Sequence, residues 1–288
     1  MARKKQKANV LVQSLAVQAP VERVWKALTS GRDLGLLVLG RVEMAAKPGA
    51  DFSWHWGVWE KVAPGGGKGK FTWAGTVLDV VPGSTLVLGP RADAKKPSPV
   101  VTLTVKGEGG AALVAVVQGP TPGSESLEDY EHGWADFLLK FKTYLETETQ
   151  EREVLARVLV QATPQQVYRT WLTARAMAKI LPGKVSVKGK VGQGFSWQHK
   201  RAVHVHAGTF LELEKKRRIV FTWKSSHPVS EVAVEAQPTP YGTLVSVHHT
   251  GLLRMNRGQL FSQRMFWLRL LERLRCYFYF GGKIKTTD

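Results

Sequence analysis

Gly49–Trp54, GADFSW, and Gly192–Trp197, GQGFSW, lie 143 residues apart and decide the fold, because they are one strand written twice. The same offset carries Gln18–Trp25, QAPVERVW, onto Gln161–Tyr168, QATPQQVY. Past the FSW block it falls to 133, pairing Ala74-Gly75-Thr76 with Ala207-Gly208-Thr209. The slack lies in Pro64–Lys70, PGGGKGK, which reads as a hairpin tip in the first copy. Further on, Gly110 pairs with Gly242 and Gly119 with Gly251. A period this long means two whole domains, since solenoid repeats run to roughly 20–50 residues. The expected organisation is a basic tail at 1–7, one domain at 8–147 and a second at 151–288.

Each copy begins with a β-like stretch, Val10–Val17 or Val154–Val160, and continues into a helix. Thr163-Pro164-Gln165-Gln166 supplies a capping hydroxyl, proline at the first helical position and glutamine at the third. Pro20 and Glu22 do the same less well in the first copy. Five strands are expected next: 51–60, 70–80, 85–88, 100–106 and 111–117, repeated as 194–200, 203–213, 218–224, 231–236 and 243–250. A long helix closes each copy, near 126–147 and 257–280. On it Trp134, Leu138, Phe141 and Leu145 fall at i, i+4, i+7 and i+11, and Trp267, Leu271, Leu274 and Phe278 repeat the face. Arg264, Arg269, Arg273 and Arg275 are expected on the opposite side. An antiparallel sheet followed by one long helix must bury that helix against its concave face.

The 41 Lys and Arg against 23 Asp and Glu leave a net charge of +18. Residues 1–150 hold 18 cations and 15 anions; residues 151–288 hold 23 and 8. The excess therefore belongs to the second copy and suits an acidic protein or an anionic membrane surface. Lys215, Lys216, Arg217 and Arg218 are the densest cluster. No exposed aromatic interleaving accompanies it or Arg3–Lys7, which argues against nucleic acid as a partner. The single cysteine, Cys276, excludes an intramolecular disulfide, sits in a helix pattern as a packed thiol, and fits a cytoplasmic location.

These motifs resemble the START-like, birch-pollen-allergen-like (SRPBCC) superfamily, and within it the family named for homology to the activator of the heat-shock-chaperone ATPase. The resemblance rests on Gln18–Thr29, the G-x-x-F-x-W strands, Ala74–Leu88, Ala207–Trp223 and Tyr241–Leu252, and covers nearly the whole chain twice. It implies an α+β fold: two tandem helix-grip domains, each a curved antiparallel sheet wrapped around a long C-terminal helix. It also implies a hydrophobic pocket under that helix, in members that range from ligand carriers and cyclases to chaperone regulators. The first copy departs from the pattern where Val116–Pro120 replaces His248–Leu252, and Gly89-Pro90 replaces Thr222-Trp223.

Ten tryptophans supply the candidate lining. Phe52, Trp54 and Trp56 share a strand face, as do Phe195, Trp197 and His199; Trp134, Phe141, Trp223, Trp267 and Leu271 join them. The expected function is non-catalytic binding of a hydrophobic small molecule or lipid, mainly in the second domain. An interaction module for an acidic partner is the alternative. A cyclase- or dehydratase-type enzyme is the third reading, with His206 or His248 moving a proton. His199, His204 and His206 could approach His248 or His249, but no fourth ligand or supporting carboxylate is evident, so neither a metal nor a cofactor is called for.

Overall fold

The computed structural model describes residues 10–65, 71–94, 98–119, 127–147, 153–199, 205–224, 229–252 and 255–285. The basic tail, the glycine-rich residues 66–70, residues 148–152 between the copies, and His204 lie outside these. Two compact units emerge: Met1–Trp56 with Thr72–Glu146, and Gly57–Phe71 with Thr147–Asp288.

The first unit runs β1 (Leu11–Val17), α1 (Val21–Leu28), α2 (Gly31–Leu37), β2 (Arg41–Met44) and β3 (Asp51–His55). Helix α3 (Gly57–Val62) belongs to the second unit. The first then continues through β4 (Thr72–Val81), β5 (Thr85–Gly89), β6 (Val101–Glu108), β7 (Ala111–Gln118) and α4 (Leu127–Glu146). The second unit repeats the order as β8 (Val154–Val160), α5 (Pro164–Trp171), α6 (Ala174–Ile180), β9 (Lys184–Val187), β10 (Gly194–Gln198), β11 (Val205–Glu214), β12 (Arg218–Trp223), β13 (Ser230–Thr239), β14 (Gly242–Thr250) and α7 (Arg257–Tyr279).

Each unit is one seven-stranded antiparallel sheet, in order β1-β7-β6-β5-β4-β3-β2 and β8-β14-β13-β12-β11-β10-β9. The first strand pairs with the last, so α1–α2 and α5–α6 carry the chain to the opposite edge. The two tandem α+β helix-grip domains are as expected. Each has one more short strand (β2, β9) and one more helix (α2, α6) than the sequence pattern suggests, and the second also takes in α3. In the α5 capping box the Gln166 amide N–H donates to the Thr163 hydroxyl at 3.3 Å, and the Thr163 N–H donates to the Gln166 side-chain oxygen at 2.8 Å. Helix α7 has a second box built from Asn256 and Gln259.

The core of each unit lies between the inner sheet face and the closing helix. In β6 and β7 the alternating residues Val101, Leu103, Val105, Ala112, Val114 and Val116 are buried, against Leu138, Phe141 and Leu145 of α4. The second core repeats this with Val232, Val234, Val245 and Val247 against Trp267, Leu271 and Leu274. Cys276 is buried in α7. Both sheets bend at a bulge in the same place, between Val77 and Asp79 and between Phe210 and Glu212. Just before each bulge stands a glycine that a neighbouring strand crosses closely. A Cβ at Gly75 would run into the Gly89 carbonyl and come 2.9 Å from the Phe52 ring; one at Gly208 would meet the Thr222 carbonyl and the Phe195 ring, at 2.6 Å.

Strand pairing also moves the internal alignment by one residue. Val17 faces Ala112 and Val160 faces Thr243, so the last strands correspond at an offset of 131. Gln118, opposite Leu11, therefore stands where His249 stands opposite Val154.

The expected strand over 51–60 ends at His55, and the chain from Gly57 is helical. The reason lies in the second unit, where Trp59 packs against α7. Its indole N–H donates to the Glu272 carboxylate, and its ring meets Tyr279 at 4.9 Å and Phe280 at 5.7 Å. The Arg275 guanidinium lies over the same ring at 5.1 Å, and Lys285 N–H donates to the Val62 carbonyl at 2.9 Å. Of the four arginines expected opposite the apolar face of α7, Arg264, Arg273 and Arg275 are engaged, while Arg269 is exposed. Arg264 donates to the Thr147 carbonyl at 2.6 Å, and Arg273 donates to the carbonyls of Ile180 and Lys179 at 2.5 and 3.2 Å.

Candidate functional site

In the second unit, β10 and β11 pair so that Trp197 lies directly opposite His206. Side chains opposite one another in an antiparallel pair share a face. The two rings stack, with centroids 4.8 Å apart and planes 14° from parallel. The other face of this group is closed by Trp223 on β12, 4.9 Å from His206, and by Phe266 on α7, 5.5 Å from Trp197. Phe195 reaches Trp223 at 5.9 Å and Phe221 at 5.0 Å. Trp197, Trp223, Trp267 and Leu271 are buried, whereas Phe195, His206 and Phe266 keep part of their surface in solvent. The result is an aromatic wall with a buried floor and a partly open rim.

Beneath that wall lies a polar chain that the sequence reading did not single out. Trp267 Nε1–H donates to His249 Nδ1 at 3.0 Å, and His249 Nε2 lies 2.7 Å from Ser230 Oγ. Because Nδ1 accepts, Nε2 carries the proton and donates to the serine, whose hydroxyl in turn donates to the Trp223 carbonyl at 3.2 Å. His249 is fully buried and must be neutral to hold this chain. Burial, with a smaller contribution from the neighbouring His248, pushes its pKa down to about 4. Gln118 does the same work in the first unit, where its side-chain oxygen accepts from Trp134 Nε1–H at 2.7 Å.

The two histidines of the HHT run part company. His249 points into the core, whereas His248 is exposed on the other face of β14, 2.7 Å from the Glu153 carboxylate. The structure therefore separates His248 from His206 and from the aromatic wall. His199, just past β10, meets Trp197 edge-on at 6.3 Å, so both it and His206 contact the Trp197 ring from the sheet. Among the described residues no group of three or more His, Cys, Asp or Glu is placed to hold a metal.

The first unit brings its predicted residues together too. Trp54 lies 6.2 Å from Trp56 and 5.6 Å from Phe137, while Phe137 stacks on Phe141 at 6.0 Å. Trp73 occupies the place of His206 and meets Trp54 at 5.5 Å and Trp134 at 6.1 Å. This wall differs in two places. Pro90 stands where the second unit has Trp223, and Gly133 where it has Phe266. Phe52 is 1% exposed here, while Phe195 is half-buried.

The basic cluster occupies the turn between β11 and β12. Arg217 pairs with Glu214 at 2.9 Å, and Arg218 bridges Glu212 at 2.8 Å and Glu235 at 3.5 Å. Lys215 and Lys216 remain exposed at the turn's tip. No helix among the described residues is long and apolar enough to cross a membrane.

A family model described as Activator of Hsp90 ATPase homolog 1-like protein matches residues 18–146 and again residues 161–278. The chain belongs to this family. Each match runs from just after the first strand of a copy into its closing helix. Among solved structures, the chain is similar to DynU16, a protein of the dynemicin biosynthetic locus. The identity is 20%, with 92% of this chain and 97% of that one covered, at a TM-score of 0.39. It is also similar to the Aha1 dimer from Colwellia psychrerythraea, at 15% identity over 45% of this chain and 97% of that one, TM-score 0.41. An Hsp90 activator from Plasmodium falciparum matches at 20% identity over 46% and 99%, TM-score 0.39. No curated protein matches.

Proposed function

We propose that this member of the Activator of Hsp90 ATPase homolog 1-like family binds a flat hydrophobic small molecule, without catalysis, against the aromatic wall of its second domain. The carrying observation is the stack of Trp197, His206, Trp223 and Phe266, buried at its base and partly open at its rim. Aromatic faces of this extent favour planar apolar ligands through offset and edge-on contact. Phe195 and His199 lie at the margin, while Trp267 and Leu271 support the floor. His206 acts here as a ring in the wall. In the first domain, Phe52, Trp54, Trp56, Trp134 and Phe141 form a more closed core, so binding is assigned mainly to the second. Native mass spectrometry of the purified protein, followed by solvent extraction, tests this. A retained small molecule, or uptake of a planar probe, supports the reading; a chain that holds and takes up nothing contradicts it.

A second reading, a chaperone-regulator-like module for an acidic protein or an anionic membrane surface, is favoured by the charge excess of residues 151–288. Only part of the basic turn serves it. Arg217 and Arg218 already face carboxylates, which leaves Lys215 and Lys216 as the contact residues. Reversing those two lysines should weaken salt-sensitive binding to an acidic chaperone, and unchanged binding would remove this surface.

A further inference from the structure

Four of the indoles have a hydrogen-bond acceptor supplied by the fold. Trp59 donates to Glu272, Trp134 to Gln118, Trp197 to the Pro182 carbonyl and Trp267 to His249. Trp171 and Trp223 do not. Each is buried, 6% and 5% exposed, and no acceptor among the described residues lies within hydrogen-bonding distance of either Nε1–H. In the same core both nitrogens of His249 and the Ser230 hydroxyl are used in the chain under Trp267. The two indoles belong to one core and flank one ring: Phe221 lies 6.4 Å from Trp171 and 6.4 Å from Trp223.

A buried donor without an acceptor is costly, whereas an apolar side chain of similar volume carries no such cost. The first unit shows the inexpensive solution. Its residues at these two positions are Leu28 and Pro90, which bring no donor, and among the described residues its buried indole without an acceptor is Trp54. The second unit therefore departs from the first by adding two buried N–H groups to a core that does not use them.

We infer that the ligand of the second domain carries hydrogen-bond acceptor oxygens, and that Trp171 and Trp223 read them. The chemical class is a planar carbonyl compound of quinone or polycyclic-ketone type, rather than a plain hydrocarbon or an acyl chain. The rings of the wall hold the flat skeleton, and the two indole donors set its orientation. The partly exposed edges of Phe195, His206 and Phe266 give the approach. This rests on the proposal that the second domain is the binding domain.

The test uses the full chain and two probes of one skeleton, anthracene and 9,10-anthraquinone, titrated by ligand and tryptophan fluorescence. Trp171→Phe and Trp223→Phe keep a ring and remove only the donor. Trp171→Leu, the residue of the first unit at that position, provides a second variant if phenylalanine packs badly, and circular dichroism checks that each is folded. Each substitution should lower the preference for the quinone over the hydrocarbon by about three- to tenfold, the effect of one hydrogen bond, and leave anthracene affinity within about twofold. Binding of both probes with a preference that neither substitution alters overturns this inference and leaves the binding reading standing. Binding of neither probe overturns both.

Discussion

Replacing His249 with glutamine should remove most of one component of the acid sensitivity of this protein while leaving its core intact. In the first unit Gln118 accepts the hydrogen bond of the closing-helix tryptophan as His249 does in the second. Glutamine does not titrate; histidine does. Folding lowers the His249 pKa from 6.5 to about 4, first through burial and then through His248. A depressed histidine pKa means that the native state prefers the neutral ring. The corresponding stability is complete above the unfolded value near pH 6.5 and is lost as the pH falls toward 4. A shift of this size corresponds to about 3 kcal/mol, of which about 2 kcal/mol is already lost at pH 5. Protonation at Nδ1 would also remove the acceptor that Trp267 uses.

The assay is urea unfolding of wild type and His249→Gln at several pH values between 7 and 4.5, followed by tryptophan fluorescence. Carboxylates titrate in both proteins, so the informative quantity is the difference between them. Wild type should lose about 2 kcal/mol more than the variant between pH 7 and pH 5. Parallel pH profiles would refute the assignment of His249 as a neutral, buried acceptor.

Trp59→Ala should destabilise the second unit by about 3–5 kcal/mol, the usual cost of removing a buried indole, and hydrogen exchange should show the loss around Glu272–Phe280 of α7. No change in α7 protection would mean that α3 does not support it. Gly208→Ala should destabilise by several kcal/mol or prevent folding, because its Cβ would meet the Thr222 carbonyl and the Phe195 ring; a thermal melt close to wild type would contradict that close approach. His248→Ala should change stability by less than about 1 kcal/mol, as expected for an exposed pair, and should leave probe binding unaffected. Altered probe affinity in that variant would bring His248 back to the site.

The parts of this fold readable in the sequence are those set by local pattern. The G-x-x-F-x-W strands, the Thr163 cap and the i, i+4, i+7, i+11 face from Trp134 all depend on neighbours a few residues away. The four-residue strands β2 and β9 are too short for alternation to register, and pairing with β3 and β10 is what makes them strands. The segment after His55 looks like more strand because Trp56 and Trp59 are apolar, yet it becomes helical where Trp59 finds Glu272, 213 residues away. Alternation in β14 puts His249 on the face of Val245 and Val247 and His248 on the other, whereas the identification of Gln118 as the counterpart of His249 needs the pairing with the first strand of each unit. The basic cluster is legible as charge; Glu214 lies three residues from Arg217 in the same turn, while Glu212 and Glu235 reach Arg218 from strands that pairing brings alongside.

Whether the aromatic wall of the second domain holds a planar ligand is decided by a side-chain NMR titration of the full chain with 9,10-anthraquinone, using indole, imidazole and phenylalanine ring signals. Saturable shifts confined to Trp197, His206, Trp223 and Phe266, with Trp54 and Trp134 unmoved, are the predicted result. Ring signals of the second domain that do not move while the protein remains folded would contradict the account.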